Sequence, residues 1–267
     1  MDSGLLILGL HRVGLPPAEA QIRGLFITPQ ILKFQIKMLR ALGYRFTTLS
    51  EAMVAPSGKR AVLTFDDGYA DNYANAFPLL RRLGIPATLF AITGDVGGRD
   101  VVWNEAGDKT PADMLDWDSI NELKDAGWEI GSHAHSHVHL TRYEESHQEE
   151  LIARSLDSIE KYTGTRPLSF AYPYGDYDDR TKQVLKRLGI RYSVTTNLAR
   201  VGEPSTDHLE LKRTPLGGRY FFHYFKNAMR TRQAIGNVEI ARSLYPYFVP
   251  SGFVSSADSV FFSQIKK

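Results

Sequence analysis

The stretch RAVLTFDDGYADNYANAFPLLRRLGIPATLFAI, residues 60–92, carries the alternation that decides the fold. RAVLTF (60–65) is a short apolar run closed by Asp-Asp-Gly, DNYANAFPLLRRLG (71–84) is amphipathic and stops at Gly84, and PATLFAI (86–92) is apolar again. Strand, helix and strand in one stretch predict a parallel pair joined by a helical crossover. Working outward, LLILGL (5–10), YRFTT (44–48), WEIGS (128–132), LSFAY (168–172), YSVTT (192–196) and LELKRT (209–214) read as further strands. Between them, TPQILKFQIKMLRALG (28–43) offers Thr28 as N-cap, Pro29 in the first turn, Leu32, Ile36 and Leu39 at helical spacing, and Gly43 as a stop. ELIARSLDSIEKYTG (150–164) repeats the scheme with Ile152, Leu156 and Ile159 on one face.

Seven or eight such units favour an α/β fold of the distorted (β/α) barrel type, with seven or eight parallel strands, over an open sheet. Residues 1–218 are expected to form this domain. The alternation ends there, and the aromatic-rich sequence that follows, RYFFHYFKNAM and then SLYPYFVPSGFV, predicts a helical C-terminal extension over 219–267, packed on or following the barrel.

Composition narrows the function. The 267 residues are 43% hydrophobic and 23% charged, ordinary for a globular chain. Thirty-two basic residues against thirty acidic ones leave a net charge of +2 with no long basic run, which argues against a nucleic-acid partner. There is no cysteine, so any metal must be held by histidine and carboxylate. The N-terminal MDSGLLILGLHRVG lacks the basic start of a secretory signal, and its apolar run is far shorter than the roughly 20 residues of a spanning helix. A soluble, cytoplasmic protein without a transmembrane segment is the expectation.

In α/β barrels functional residues gather at the C-terminal ends of the strands. Four polar clusters fall there: Asp66 and Asp67 after Phe65, His133 and His137 after Ser132, Tyr174 after Tyr172, and His11 after Leu10. Two adjacent carboxylates at a strand end point in different directions, so one can bind a metal while the other takes a proton. Asp-Asp-Gly is equally what a plain turn into a helix would contain. GSHAHSHVHL (131–140) sets His133, His135, His137 and His139 on every second residue. As a continued strand, all four would line one face; as a helix after Ser132, His133 and His137 would sit one turn apart and could clasp a metal. Two imidazoles and a carboxylate would make a catalytic zinc site with open positions.

TFDDGY, the H-x-x-x-H of GSHAHSH, and FAYPYG, in that order on strand ends, resemble the first three motifs of the polysaccharide deacetylases, carbohydrate esterase family 4 or the NodB-homology domain. The similarity extends over about residues 5–217. It implies that Asp67, His133 and His137 bind a divalent metal, most often zinc, with cobalt, nickel or iron as alternatives that suit the same ligands. It further implies that Asp66 is the general base for the attacking water, and that the backbone N–H of Tyr174 helps stabilise the oxyanion. His135 and His139 receive no role, His139 being read as a loop residue or a neighbour of the ligands.

Two departures stand out. The arginine that the family places two residues before the proline of its third motif, where it pairs with the catalytic carboxylate, is Ala171 here, leaving Arg213 as a candidate replacement. The family's late histidine is also missing, since neither His208 nor His223 lies in a matching strand end. LILGLHRV resembles the N-terminal motif of the branch that handles poly-N-acetylglucosamine, which implies that His11 is the general acid; a histidine hydrogen-bonded at a strand end is the plainer reading. The expected activity is metal-dependent removal of the N-acetyl group from an N-acetylated sugar in a glycan or glycan precursor. A related barrel hydrolase acting on another C–N bond, and an inactive glycan-binding homologue, are the alternatives.

Overall fold

A computed structural model of the chain describes residues 4–54, 58–103, 109–198 and 207–215. The expected C-terminal extension, 219–267, lies outside the described residues, as does His223. In chain order the elements are β1 (Leu5–Leu10), β2 (Arg12–Val13), β3 (Phe26–Ile27), α1 (Pro29–Ala41), β4 (Arg45–Phe46), α2 (Leu49–Val54) and β5 (Arg60–Phe65). A π-turn at Asn72–Ala76 then runs into α3 (Phe77–Leu83), followed by β6 (Thr88–Ala91), α4 (Trp117–Asp125), β7 (Glu129–Ser132) and α5 (Glu145–Thr163). The last are β8 (Ser169–Ala171), α6 (Asp179–Arg187), β9 (Tyr192–Leu198) and β10 (Leu211–Pro215). No helix among them is long and apolar enough to cross a membrane.

The expected barrel is present. Parallel strands follow the order β1-β10-β9-β8-β7-β6-β5, and β5 returns to β1 along its whole length, from Leu5↔Arg60 to Leu10↔Phe65, closing a ring of seven. The eighth expected strand forms too, but as a short flank rather than a stave. β4 pairs with Arg60 and Ala61 at the start of β5, whereas β6 pairs with Thr64 and Phe65 further along it. β2 and β3 make a separate two-stranded patch outside the ring.

The period of two in the strands sorts the side chains. On β5, Ala61, Leu63 and Phe65 join the outer core with Leu32, Ile36 and Leu39 of α1, all essentially without solvent contact. Val62 instead faces inward with Ile7, Phe90, Val194 and Leu211, and Leu49 and Ala52 of α2 pack with them. Each fully buried aliphatic side chain contributes about 1.5–3 kcal/mol. Thr28 caps α1 as its spacing implies, its side chain accepting from the Ile31 N–H at 3.3 Å. Ile152, Leu156 and Ile159 of α5 are likewise buried. By the same alternation, Val62, Thr64 and Asp66 climb the inside of the barrel toward its C-terminal mouth.

Candidate active site

Asp66 stands at that mouth with almost no solvent exposure. Its backbone N–H donates to Leu10 O at 2.9 Å, which ties the end of β5 to the end of β1 and brings His11 alongside. His11 Nε2 lies 3.9 Å from Asp66 Oδ2. The segment after β1 is anchored from the turn after β5: Asn72 Nδ2 donates to His11 O (2.7 Å), Val13 N to Asp71 Oδ1 (2.8 Å), and Arg12 Nε to Asp71 Oδ2 (2.9 Å).

Arg213 on β10 supplies the cation that Ala171 cannot. Its Nη1 and Nη2 donate to Asp66 Oδ1 and Oδ2 at 2.7 and 2.6 Å, a bidentate fork, while Nη1 also reaches Thr64 Oγ1 and Nε donates to Thr195 O, both at 3.0 Å. Burial would raise the Asp66 pKa, but the guanidinium beside it outweighs that and holds the carboxyl below its ordinary value. Asp66 is therefore an oriented carboxylate at neutral pH.

Three of the four non-glycine residues with positive φ among the described residues lie here: Asp67 (φ 73°), Ala134 (φ 63°) and Tyr174 (φ 57°). Such backbone conformations persist where the surroundings over-determine them, and they concentrate at functional sites. The Asp67 side chain faces His133 and His137 while that of Asp66 pairs with Arg213, the division of labour expected of the two carboxylates. Ala134 corrects the sequence reading. Residues 133–139 are neither strand nor helix; they form a loop, so the i, i+4 helical clasp does not exist. The loop is shaped instead by the end of β6, where Thr93 N and Gly94 N donate to Ala134 O (3.2 Å) and His135 O (2.8 Å). It nevertheless brings the His133 and His137 rings to 5.3 Å, and Asp67, His133 and His137 each present a ligand atom within 4.8 Å of the others.

The chemistry of this group fits a divalent metal. His133 Nδ1 lies 2.7 Å from Ala171 O, which can only accept, so Nδ1 carries the proton and Nε2 presents a lone pair. That lone pair faces Asp67 Oδ1 at 3.3 Å, and His137 Nε2 faces the same oxygen at 3.6 Å. Asp67 Oδ1 is buried and has no hydrogen-bond partner among the described residues. Burial pushes the His137 pKa down to about 4, which leaves that imidazole neutral. Against the opposing effect of burial, the neighbouring His133 imidazole lowers the Asp67 pKa and the Asp67 carboxylate raises that of His133. Both shifts mark a space between acceptors that favours positive charge.

Tyr174 sits in a one-turn 3₁₀ segment, Pro173–Gly175, directly after β8. Its ring lies 4.2 Å from those of both His137 and His139. His135 turns away, with Nδ1 3.0 Å from Thr93 Oγ1, and His139 Nδ1 is 3.5 Å from Asp176 Oδ2. His208 neighbours Tyr192. Two site residues escaped the sequence reading. Tyr69, named only as part of TFDDGY, is buried with its phenol hydrogen-bonded to Asp67; burial and that carboxylate raise its pKa well above the usual value and keep it a donor. Trp103, from a loop without periodic pattern, lies 4.7 Å from the His137 ring and is held by an Nε1–H bond to Asp95 Oδ2 at 2.7 Å.

Comparison with known proteins agrees with this geometry. The polysaccharide deacetylase family model matches residues 54–193, a little over half of the chain. A protein named putative polysaccharide deacetylase YxkH, from Bacillus subtilis, is 29% identical over 60% of this chain, which spans 55% of that relative's length. The poly-beta-1,6-N-acetyl-D-glucosamine N-deacetylase of Staphylococcus aureus is 29% identical over 78% of this chain and 74% of its own. The solved structure of IcaB from Ammonifex degensii superposes with a TM-score of 0.67 at 29% identity, covering 79% of this chain and 91% of that one. Motif order, barrel and family match converge: the chain belongs to the polysaccharide deacetylase family.

Proposed function

We propose that this protein removes the N-acetyl group from N-acetylglucosamine units of a glycan or glycan precursor, releasing acetate, and that Asp67, His133 and His137 hold the divalent metal that the reaction uses, zinc in the first instance. The observation that carries the reading is Asp66, a buried carboxylate locked by Arg213 beside the Asp67–His133–His137 group with His11 3.9 Å away. A divalent metal bound there supplies Lewis-acid polarisation of the acetamide carbonyl and acidifies water.

In this reading the chain's own groups divide the remaining work. Asp66 accepts the proton of the attacking water, its orientation fixed by the Arg213 fork. The backbone N–H of Tyr174 donates to the oxyanion as the carbonyl carbon becomes tetrahedral. His11, partly exposed at the end of β1, donates a proton to the departing amine, so that acetate and a free amino sugar leave. Against the inactive-homologue alternative, which Ala171 and the missing late histidine would favour, stand the pairing of Arg213 with Asp66 and the place of His11 3.9 Å from that carboxylate.

The glycan class is proposed from the name of the Staphylococcus aureus relative. A panel of β-1,6- and β-1,4-linked N-acetylglucosamine oligomers with a nucleotide N-acetyl sugar tests it by acetate release. Preference for the β-1,6 oligomers is expected. Release from none of them, with metal shown to be bound, would refute the reading.

A further inference from the structure

The two histidines of the metal group are held in different ways. His133 is fixed by the Nδ1–H bond to Ala171 O, the usual means of orienting a metal-ligating imidazole. His137 has no such tether: its side chain is nine-tenths buried, and among the described residues its Nδ1 has no hydrogen-bond partner. Rings hold it instead. Trp103 lies against one side at 4.7 Å and Tyr174 against another at 4.2 Å, each tilted by 46°.

The stack does not end at Tyr174. His139 lies parallel to that ring, 4.2 Å away at an interplanar angle of 15°, and its Nδ1 is 3.5 Å from Asp176 Oδ2. Asp176 is itself fixed, accepting from Thr141 Oγ1 at 2.6 Å and from Thr141 N at 3.3 Å. At the other end, the bond to Asp95 fixes Trp103. Four rings in sequence, Trp103, His137, Tyr174 and His139, thus run between two anchoring carboxylates.

We propose that His139 is a positioning residue for His137, acting through the Tyr174 ring, so that the stack takes the place of the hydrogen bond His137 lacks. The inference rests on the metal-binding role proposed above for His137. The histidine left without a role by its motif thereby acquires one: it packs against the Tyr174 ring, whose hydroxyl also donates to His137 O at 3.4 Å, and so adds to the contacts that keep that ring on His137.

The test is cobalt(II) binding by the full chain, read from the visible absorption bands of the bound ion, for the parent, His139→Ala and His139→Phe. One aromatic pair is worth about 0.5–1.5 kcal/mol, so His139→Ala is expected to weaken cobalt binding about 2- to 13-fold and alter the bands, whereas His139→Phe keeps the parent's affinity and bands. A parent that binds no cobalt would remove the metal site itself. A parent that binds, with His139→Ala equally tight or His139→Phe as weak as His139→Ala, would overturn the stack alone. Should His139→Ala fail to fold, Tyr174→Phe and Tyr174→Leu decide: both lose the hydroxyl's bond to His137 O, only the Phe variant keeps the stacked ring, so the Phe variant is expected to bind cobalt more tightly than the Leu variant, and equal binding by the two would overturn the proposal.

Discussion

Replacing Arg213 by Met should reverse the pH dependence that Asp66 imparts to stability. In the parent, the guanidinium holds the Asp66 pKa below its ordinary value, so the carboxylate contributes stability that is present above about pH 4, the unfolded value, and is lost only as pH falls through the lower folded pKa. Without the fork, two bonds of 2.7 and 2.6 Å vanish, and burial, the largest influence on Asp66, is opposed only by the weaker pull of His11 and His133, which favours the neutral acid. The folded pKa then lies above the unfolded one. Stability from this group is complete below about pH 4 and declines as pH rises through the raised folded value. A shift of about one to three pKa units corresponds to about 1.4–4 kcal/mol. At about 2–4 °C per kcal/mol, the gap in Tm between parent and variant should widen by about 3–15 °C from pH 4 to pH 8. The assay is thermal unfolding monitored by circular dichroism on chelated protein, so that a bound ion contributes to neither. A gap that stays constant or narrows with rising pH would refute the assignment of Arg213 as the partner that keeps Asp66 ionised.

His11→Ala should lower kcat about 10²- to 10⁴-fold while cobalt affinity stays unchanged, as expected for loss of a general acid, and a rate near the parent's would place the acid elsewhere. Glu129 sits at the opposite, N-terminal end of the barrel, accepting from Ser50 N (2.8 Å), Ser50 Oγ (2.6 Å), Ser169 Oγ (2.7 Å) and Thr88 Oγ1 (3.3 Å). Glu129→Ala strands these donors and should cost about 1–3 kcal/mol of stability, read as a lower Tm, with kcat/KM of the folded protein unchanged. A large loss of kcat/KM in that variant would contradict a purely structural role.

The parts legible in the sequence were those written in local pattern. Short strand-like runs between amphipathic segments specified every stave of the barrel, and β1, β5 and β6 stand out most clearly because a strand buried on both faces reads as a nearly continuous apolar run. Thr28 and the Leu32, Ile36 and Leu39 stripe specified α1 for equally local reasons. What local pattern could not hold was lost. α4 and α6 begin with side-chain caps, Asp116 on Ser119 N and Asp178 on Thr181 N, yet their short and mostly polar sequences hid the helical period. The loop carrying His133 and His137 was read as strand or helix because its shape comes from β6 hydrogen bonds and from Ala134 in a left-handed conformation, neither of which alanine advertises. Arg213 could be named as a candidate from its place in the last strand, but its pairing with Asp66 spans 147 positions and needed the closed ring. Trp103 carried no signal, since an isolated aromatic in an irregular loop has no period to read.

The central claim is that Asp67, His133 and His137 bind a metal and that Asp66, held apart from it by its own arginine, works as the base. The most direct measurement is acetate release from β-1,6-linked N-acetylglucosamine oligomers by the parent and Asp66→Asn, each stripped by chelator and then titrated with zinc or cobalt, with bound metal quantified. The account predicts that the parent loses activity on chelation and recovers it with metal, while Asp66→Asn binds the same metal and releases no acetate. Undiminished release by the chelated parent, or by metal-loaded Asp66→Asn, would contradict it.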